Sequence, residues 1–289
     1  MRSTFHTAML LIAFVTAPGI ASAGWMSEWT NVAMKPNGDR ADPQRSTMAI
    51  SDGKVRLEQP DAVTLINYKT ETFTLMNPAH QSFWSGTAED YARHVSKSRG
   101  EALRKRLVEA GQKSAPEVSD DVPKVDPAKL PPLSIVSTGI SEKIAGYDTT
   151  KYEVKVDGDV FQELWVAPLD ISSDLDINRF INLQRKMSAG MAGRSANEYN
   201  ALYYSDEYRK LLAKGFVLKM IIHHLGGGFE RTATSMKQAD VAASEFQVPD
   251  SYRKVQLADV LPAPPPAEQP PPQQRPHLPP AQKPAPNGN

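Results

Sequence analysis

The sequence contains no cysteine. This absence excludes disulfide bonds, zinc sites built on cysteine, thiol catalysis and lipidation of a cysteine side chain. An excess of charge of one sign is also lacking, because 33 basic residues balance 33 acidic residues among 289. Proteins that bind nucleic acid usually carry a basic surplus, so we expect no nucleic-acid partner. Beyond residues 8–17 no apolar run approaches the roughly 20 residues of a membrane-spanning helix, so we expect no transmembrane segment after that run is removed.

Residues 1–23 have the pattern of a cleavable bacterial secretory signal. Arg2 supplies a positive end, residues 8–17 are apolar, and the small residues at 21–23 form a cleavage site. The apolar run is too short to span a bilayer, which favours cleavage over retention as an anchor. The sequence therefore predicts a periplasmic or secreted protein whose mature chain begins at Gly24.

The opposite end is rich in proline. Residues 262–289 hold half of the 24 prolines and almost no apolar side chains. Such a segment has little to bury and favours the extended polyproline II conformation, so we predict a disordered tail. The tail is either a docking segment for a protein partner or a solubilising spacer without one. A second polar stretch with prolines, residues 112–132, predicts a surface loop within one domain that spans 24–261.

The domain has the pattern of the α+β class. The dipeptides Asp52-Gly53 and Asp157-Gly158 each separate two runs of strand-forming residues and predict tight hairpins. Further strands are predicted at 216–225 and 229–235, joined by a glycine hairpin at 226–228, with a last extended piece at 241–255. Runs of strands followed by helices indicate an antiparallel sheet.

Three helical stretches are predicted. The first begins at Thr87, where the acid of Asp90 three residues later resembles a capping box. The second covers most of 171–191, with Ser173 or Asp174 as its cap. The third covers roughly 197–214 and ends at a glycine.

Catalytic, metal and cofactor motifs are lacking. Neither a Gly-x-Ser-x-Gly elbow nor a P-loop occurs, and the two Ser-x-x-Lys matches lack their partner motifs. His223 and His224 are adjacent in a predicted strand, so their side chains point to opposite faces and cannot chelate one metal together. We therefore predict no enzyme, no catalytic residue, no metal and no cofactor. A hydrolase site assembled by the fold from His80, His94 or Glu163 is the weakest alternative.

The apolar residues of the successive strands are the remaining candidates for a functional site. Ordinary core packing explains them, but so does a curved sheet that leaves an apolar cavity for a lipid or acyl chain. The candidates for the cavity lining are Met48, Ile50, Leu57, Leu65, Phe73, Leu75 and Trp165.

Two stretches resemble a known family. Residues 139–167 include Ile-Ala-Gly-Tyr at 144–147, and residues 214–255 include Phe-Gln-Val-Pro at 246–249. Over most of 44–256 the chain resembles the domain of unknown function family 4412, found in exported bacterial proteins. That family is similar to the lipoprotein-localisation-factor superfamily (LolA/LolB-like).

The resemblance implies a fold and a class of function. It implies an incomplete antiparallel β-barrel (half-barrel) with helices covering the open side and a hydrophobic interior. The family has no established catalytic residues, and this chain lacks the lipidated cysteine of its lipoprotein members. The leading hypothesis is a non-enzymatic periplasmic protein that binds a lipid, acyl chain or other hydrophobic ligand. The alternative is an envelope interaction module with a packed core, which acts through its surface and its proline-rich tail. An interior cavity of several hundred Å³ would favour the first.

Overall fold

A computed structural model describes residues 21–109, 124–191, 194–224 and 227–261. Most of the predicted signal, residues 112–123 of the predicted loop and the whole proline-rich tail lie outside the described residues. The strands are β1 (Ala21–Met34), β2 (Gln44–Ser51), β3 (Lys54–Gln59), β4 (Ala62–Asn67), β5 (Thr72–Asn77), β6 (Ser82–Thr87), β7 (Leu133–Ile144), β8 (Tyr147–Val156), β9 (Asp159–Ala167), β10 (Phe216–His224), β11 (Gly227–Ala242) and β12 (Arg253–Lys254). The helices are α1 (Ala88–Glu109), α2 (Ile177–Ala189), α3 (Arg194–Tyr204), α4 (Asp206–Leu212) and α5 (Leu257–Val260). Within the described ranges no helix is long and apolar enough to cross a membrane.

These strands form one open sheet in the order β12-β6-β5-β4-β3-β2-β1-β11-β10-β9-β8-β7. Every neighbouring pair is antiparallel except β12 and β6, which run parallel. Two meanders, β1 to β6 and β7 to β11, are joined by the long pairing of β1 with β11. The predicted α+β class and antiparallel sheet are confirmed, and β7 and β12 form the two edges of a sheet that does not close into a barrel.

The predicted hairpin turns and the first helix cap form at the residues that the sequence indicated. Asp52 and Gly53, and likewise Asp157 and Gly158, all have positive φ, as a two-residue type I′ hairpin requires. At the start of α1 the Thr87 amide donates to the Asp90 carboxylate at 3.0 Å, and the Asp90 amide donates to the Thr87 hydroxyl at 3.1 Å. The predicted capping box is therefore confirmed.

The other predicted helix boundaries were wrong. Helix α2 begins at Ile177, and its cap is Asp176, whose carboxylate accepts hydrogen bonds from two backbone amides of the first turn. Asp174 instead has a tertiary role, because its carbonyl oxygen accepts a 2.8 Å hydrogen bond from the Gly53 amide of the β2–β3 hairpin. The third stretch is two helices, since Ser205 caps a new helix through the amide of Tyr208.

The last extended piece was also predicted wrongly. Strand β11 runs on to Ala242 because β1 pairs with it along its whole length. The chain then makes a short 3₁₀ helix at Ala243–Phe246 and returns as the two-residue strand β12 beside β6. This closing segment covers Val63, Leu65 and Met76, which form a small buried cluster with side chains of the segment.

The two faces of the sheet differ in what covers them. We call the face that carries Trp29 and Phe73 the inner face, and the opposite one the outer face. Helices α1 and α2 pack on the inner face: Phe73 stacks on Tyr91 of α1 with 6.1 Å between ring centroids. Tyr68 contacts Phe180 of α2 at 6.0 Å. Much of the main core therefore lies between the inner face and α1 and α2, although the same cluster also includes Trp165.

Candidate functional site: an apolar cavity with one buried guanidinium

A cavity of about 780 Å³ lies between the inner face of the sheet and the helices α2 to α4. Its size falls within the roughly 300–1,000 Å³ that is typical of small-molecule sites. The cavity is the consequence of an open sheet whose central strands are covered by a layer of short helices and one loop. Those elements are β1, β2, β3, β9, β10 and β11 on one side, and α2, α3, α4 and residues 168–175 on the other.

Strand alternation selects the side chains of the sheet wall. Ile50 pairs with Val55 across β2 and β3, and both line the cavity. On the other side of the sheet centre, Met220 of β10 pairs with Leu164 of β9, and both line it too. Because paired residues in an antiparallel sheet point to the same face, one register places these apolar side chains from distant parts of the chain on one wall.

Aromatic side chains form most of the helical wall. Tyr199 and Tyr203 of α3 stack with 6.3 Å between ring centroids, and Tyr203 contacts Tyr208 of α4 at 6.2 Å. The Tyr208 hydroxyl donates a 3.2 Å hydrogen bond to Oε1 of the buried Gln162 on β9, which ties α4 to the sheet. Burial raises the pKa of Tyr203 and of Tyr208 above the usual range, so both hydroxyls are neutral at physiological pH.

The mouth of the cavity lies between two loops. All of the exposed lining residues belong either to residues 168–172, after β9, or to residues 213–214, before β10. These two rims touch at Gly215, where an added Cβ would lie 1.9 Å from the carbonyl oxygen of Ala167. Only a glycine permits this approach, and its φ of 154° also lies in a region that side chains disfavour.

One charged side chain lies within the apolar wall. The guanidinium of Arg231 on β11 lies over the ring of Trp29, with 4.2 Å from Cζ to the ring centroid. Its Nε and Nη2 are buried and have no hydrogen-bond partner among the described residues. Burial lowers the pKa of Arg231 to about 10, so the group stays positively charged at neutral pH.

The structure places two of the seven predicted cavity residues, Met48 and Ile50, at the cavity wall. Leu57, Phe73 and Leu75 are on the same inner face but farther along the sheet, where Phe73 lies under α1. Leu65 and Trp165 are on the outer face, the first beneath the closing segment. The prediction of an inward side chain at these two positions did not account for the register.

Trp165 is the centre of a charged cluster on the outer face. The ammonium groups of Lys151 and Lys219, on the two neighbouring strands, lie 5.1 and 4.4 Å from the centroid of its ring. Glu163 contacts the ammonium of Lys151 and accepts a 2.8 Å hydrogen bond from Nε2 of His223. Partial burial raises the pKa of Glu163, but these partners outweigh it and leave that pKa below its usual value.

The weak hydrolase alternative does not gain a site from the fold. His80 follows β5, His94 is on α1 and Glu163 is on β9, and six strands separate β5 from β9 in the sheet. The histidine that contacts Glu163 is His223, not His80 or His94. In the described part of the chain no group of three histidine or acidic residues is arranged to hold a metal.

Sequence reasoning missed Arg231 and the three tyrosines of the helical wall. A signal for Arg231 is present: Phe229, Arg231 and Ala233 alternate along one predicted strand, so a charge shares a face with apolar side chains. The tyrosines lie at 199, 203 and 208, and the break of the helix at Ser205 removes the regular spacing that would have indicated a common face.

Residues 131–252 match the family model described as Domain of unknown function (DUF4412). The resemblance predicted from the sequence is thus confirmed for β7 to β11 and the start of the closing segment. The match does not extend to residues 44–130, which the prediction had included. A search of curated proteins finds no match to the sequence.

Solved structures give distant matches. PNGF-II is 14% identical, with 83% of this chain and 32% of that chain covered and a TM-score of 0.36. The MucA/MucB complex of Pseudomonas aeruginosa is 14% identical, with 82% and 60% covered and a TM-score of 0.32. A putative outer membrane lipoprotein-sorting protein domain from Vibrio parahaemolyticus is 10% identical, with 77% and 88% covered and a TM-score of 0.29. The chain spans about a third of the PNGF-II structure and 60% of the matched chain of the MucA/MucB complex.

Proposed function

We propose that this protein is a non-enzymatic periplasmic binding protein that holds the acyl part of a lipid, or another hydrophobic ligand, in the cavity beneath α2 to α4. The observation that carries the proposal is the cavity itself, of about 780 Å³, walled by apolar and aromatic side chains. A domain that only needed a stable core would fill this space, because protein interiors are close-packed and voids are destabilising.

The driving force for binding is the removal of apolar surface from water. Each buried methylene contributes about 0.8 kcal/mol, so an acyl chain of moderate length gains several kcal/mol against the entropic cost of binding. The buried aromatic wall is compatible with such a ligand because its tyrosine hydroxyls are neutral. The rims at residues 168–172 and 213–214 provide the entrance, and we propose that the ligand enters between them.

The predicted export signal and the half-barrel architecture support the periplasmic setting. The half-barrel interpretation rests on the resemblance to the lipoprotein-localisation-factor superfamily and agrees with an open antiparallel sheet that carries helices on one face.

A second candidate function, docking of an envelope protein, is favoured by the exposed edge of the sheet. Strand β7 is 12 residues long and forms that edge, and its Val136 and Ile140 are 45% and 53% exposed. A long edge strand with exposed apolar side chains suits the addition of a partner's strand. The proline-rich tail is a further protein-docking candidate.

Native mass spectrometry of the protein purified from the bacterial periplasm, before and after organic extraction, tests the first proposal. We expect an extractable mass in the lipid range. Met220→Trp fills the cavity from the wall and should reduce the bound fraction several-fold. Met26→Trp, at a 40% exposed position of β1, is the matched control and should leave it unchanged. A folded wild-type protein that is free of ligand and binds no lipid in titrations would refute the proposal and favour the docking function.

A further inference from the structure

The charge balance of the cavity is unusual for a site that takes only hydrocarbon. Among the described lining residues the charged side chains are Asp170, Lys214 and Arg231. Asp170 and Lys214 are exposed at the mouth, and the Asp170 carboxylate already accepts a hydrogen bond from the Ser172 amide at 2.9 Å. The charge within the wall is therefore that of Arg231 alone.

Among the described residues no carboxylate pairs with Arg231. The neighbouring Glu230 points to the outer face, where it pairs with Arg40 at 2.8 Å. The contact of the guanidinium with Trp29 covers one of its flat faces and leaves the hydrogen-bonding edge unused, because Nε and Nη2 have no partner in the described part of the chain. A buried charge with unmet hydrogen bonds is costly, so its retention in an apolar wall calls for a partner that arrives from outside.

We propose that the cavity recognises an amphiphile with one anionic headgroup, a carboxylate or a phosphate monoester, which pairs with the guanidinium of Arg231. Because Nε and Nη2 are covered by protein atoms, a two-point pair with them requires the side chains around that edge to shift when the ligand binds. The inference rests on the proposed function and specifies its ligand. The planar edge of a guanidinium matches the two oxygens of a carboxylate or phosphate, and such charge-assisted pairs are the strongest hydrogen bonds available to a side chain.

The surroundings of Arg231 place the apolar part of the ligand beside the headgroup. Trp29 lies under the guanidinium and contacts Phe216 edge-on at 6.2 Å. Met220 pairs with Arg231 across β10 and β11, and Ile222 lies two residues farther on the same face. A chain bound to an acid headgroup at Arg231 is therefore in contact with apolar side chains from its first methylenes onward.

Binding of three probes to the delipidated full-length protein, measured by titration calorimetry below their critical micelle concentrations, tests the inference. Oleate and 1-oleoyl lysophosphatidic acid present a carboxylate and a phosphate on the same chain, and oleyl alcohol presents no charge. We expect at least one acid to bind about tenfold or more tightly than the alcohol, since a charge-assisted pair is lost in the alcohol. The acid that binds more tightly identifies the headgroup.

Variants test whether the preference for an acid headgroup depends on Arg231. Arg231→Met should abolish the preference for the acid and leave alcohol binding within about twofold, and Arg231→Lys should restore part of the preference because it keeps the charge without the planar edge. Arg93→Met, at an exposed position of α1, is the matched control and should behave as wild type. If Arg231→Met does not fold, Arg231→Lys decides the question, because an acid preference at its wild-type strength in that variant overturns the assignment.

The outcomes separate this inference from the proposed function. Equal affinity for acids and alcohol in the wild type, or an acid preference that survives Arg231→Met, overturns the headgroup assignment and leaves the apolar cavity intact as a binding site. Failure of all three probes to bind overturns both proposals. An acid preference lost only in the Arg231 variants supports both.

Discussion

Nε1 of Trp29 donates a 2.7 Å hydrogen bond to Oγ of Ser27, two residues earlier on the same face of β1. Both side chains are buried. The bond satisfies the polar edge of the indole, whose ring lies beneath the guanidinium of Arg231. Ser27 is therefore part of the support of the cavity wall.

Removal of the Ser27 hydroxyl should lower the free energy of unfolding. Ser27→Ala leaves the buried indole N–H without its acceptor, so we expect a loss of about 1–3 kcal/mol in the free energy of unfolding. Ser134→Ala, at an exposed position of β7, is the control and should change it by less than about 0.5 kcal/mol. Urea denaturation measures both. Equal effects of the two substitutions would mean that the Trp29 bond contributes nothing to stability.

The rim of the cavity depends on Gly215. Gly215→Ala introduces a Cβ that collides with the carbonyl oxygen of Ala167, so we expect a loss of more than about 3 kcal/mol or a displaced rim. Gly38→Ala also has a positive φ of 87°, but no atom lies within 4 Å of its added Cβ, so only the backbone strain of about 1 kcal/mol should appear. Thermal unfolding distinguishes the two. A Gly215 variant as stable as the Gly38 variant would show that the rims do not touch in solution.

The charged cluster around Trp165 should contribute to stability. Glu163→Gln leaves the ammonium of Lys151, only 16% exposed, without its counter-charge, and we expect a loss of about 1–3 kcal/mol in the free energy of unfolding. Glu142→Gln removes a similar partner from Lys219, at 3.3 Å, but Glu142 is 45% exposed, and its loss should stay below about 1 kcal/mol. Chemical denaturation at neutral pH measures both, and the reverse order would contradict the assignment of Glu163 as the principal counter-charge.

The capping box at α1 should make the free energy of unfolding depend on pH in the acid range. Hydrogen bonds from the amide and the hydroxyl of Thr87 hold the pKa of Asp90 below its usual value. The stabilisation is fully present above the unfolded-state pKa of about 3.9 and is lost as the pH falls through the lower folded-state pKa. Asp90→Asn should remove this dependence.

The same cap can be tested at neutral pH. Thr87→Ala deletes the hydroxyl that accepts from the Asp90 amide, and about 1 kcal/mol of stability should be lost at pH 7. Denaturation midpoints between pH 2.5 and 7 follow both variants. If the Asp90→Asn variant loses stability below pH 4 as steeply as the wild type does, other carboxylates cause that loss.

The features that were predicted correctly depend on residues close together in the chain. The hairpin at Asp52-Gly53 needs two residues that tolerate positive φ, and the cap at Thr87 needs an acid three residues later. In both cases the interacting groups are chain neighbours, so the physical cause is visible in the sequence. The family resemblance was likewise visible because it consists of contiguous stretches between residues 131 and 252.

The features that were missed depend on contacts between distant segments. Leu65 and Phe73 look alike in alternating strands, but the pairing of β4 with β5 places them on opposite faces. Asp174 was a predicted cap, but its carboxylate accepts a 3.2 Å hydrogen bond from the Asp52 amide of the distant β2–β3 hairpin.

By itself, the sequence determined the class of the fold, its hairpins, its first helix cap and the absence of cysteine chemistry, because each follows from composition or from neighbouring residues. Only the tertiary structure decided that β1 pairs with β11, that α2 to α4 leave a cavity against the sheet, and that Arg231 lies in its wall over Trp29. These depend on strand register and on packing between segments about 200 residues apart. A shift of one residue in the strand register would turn the same side chains to the opposite face.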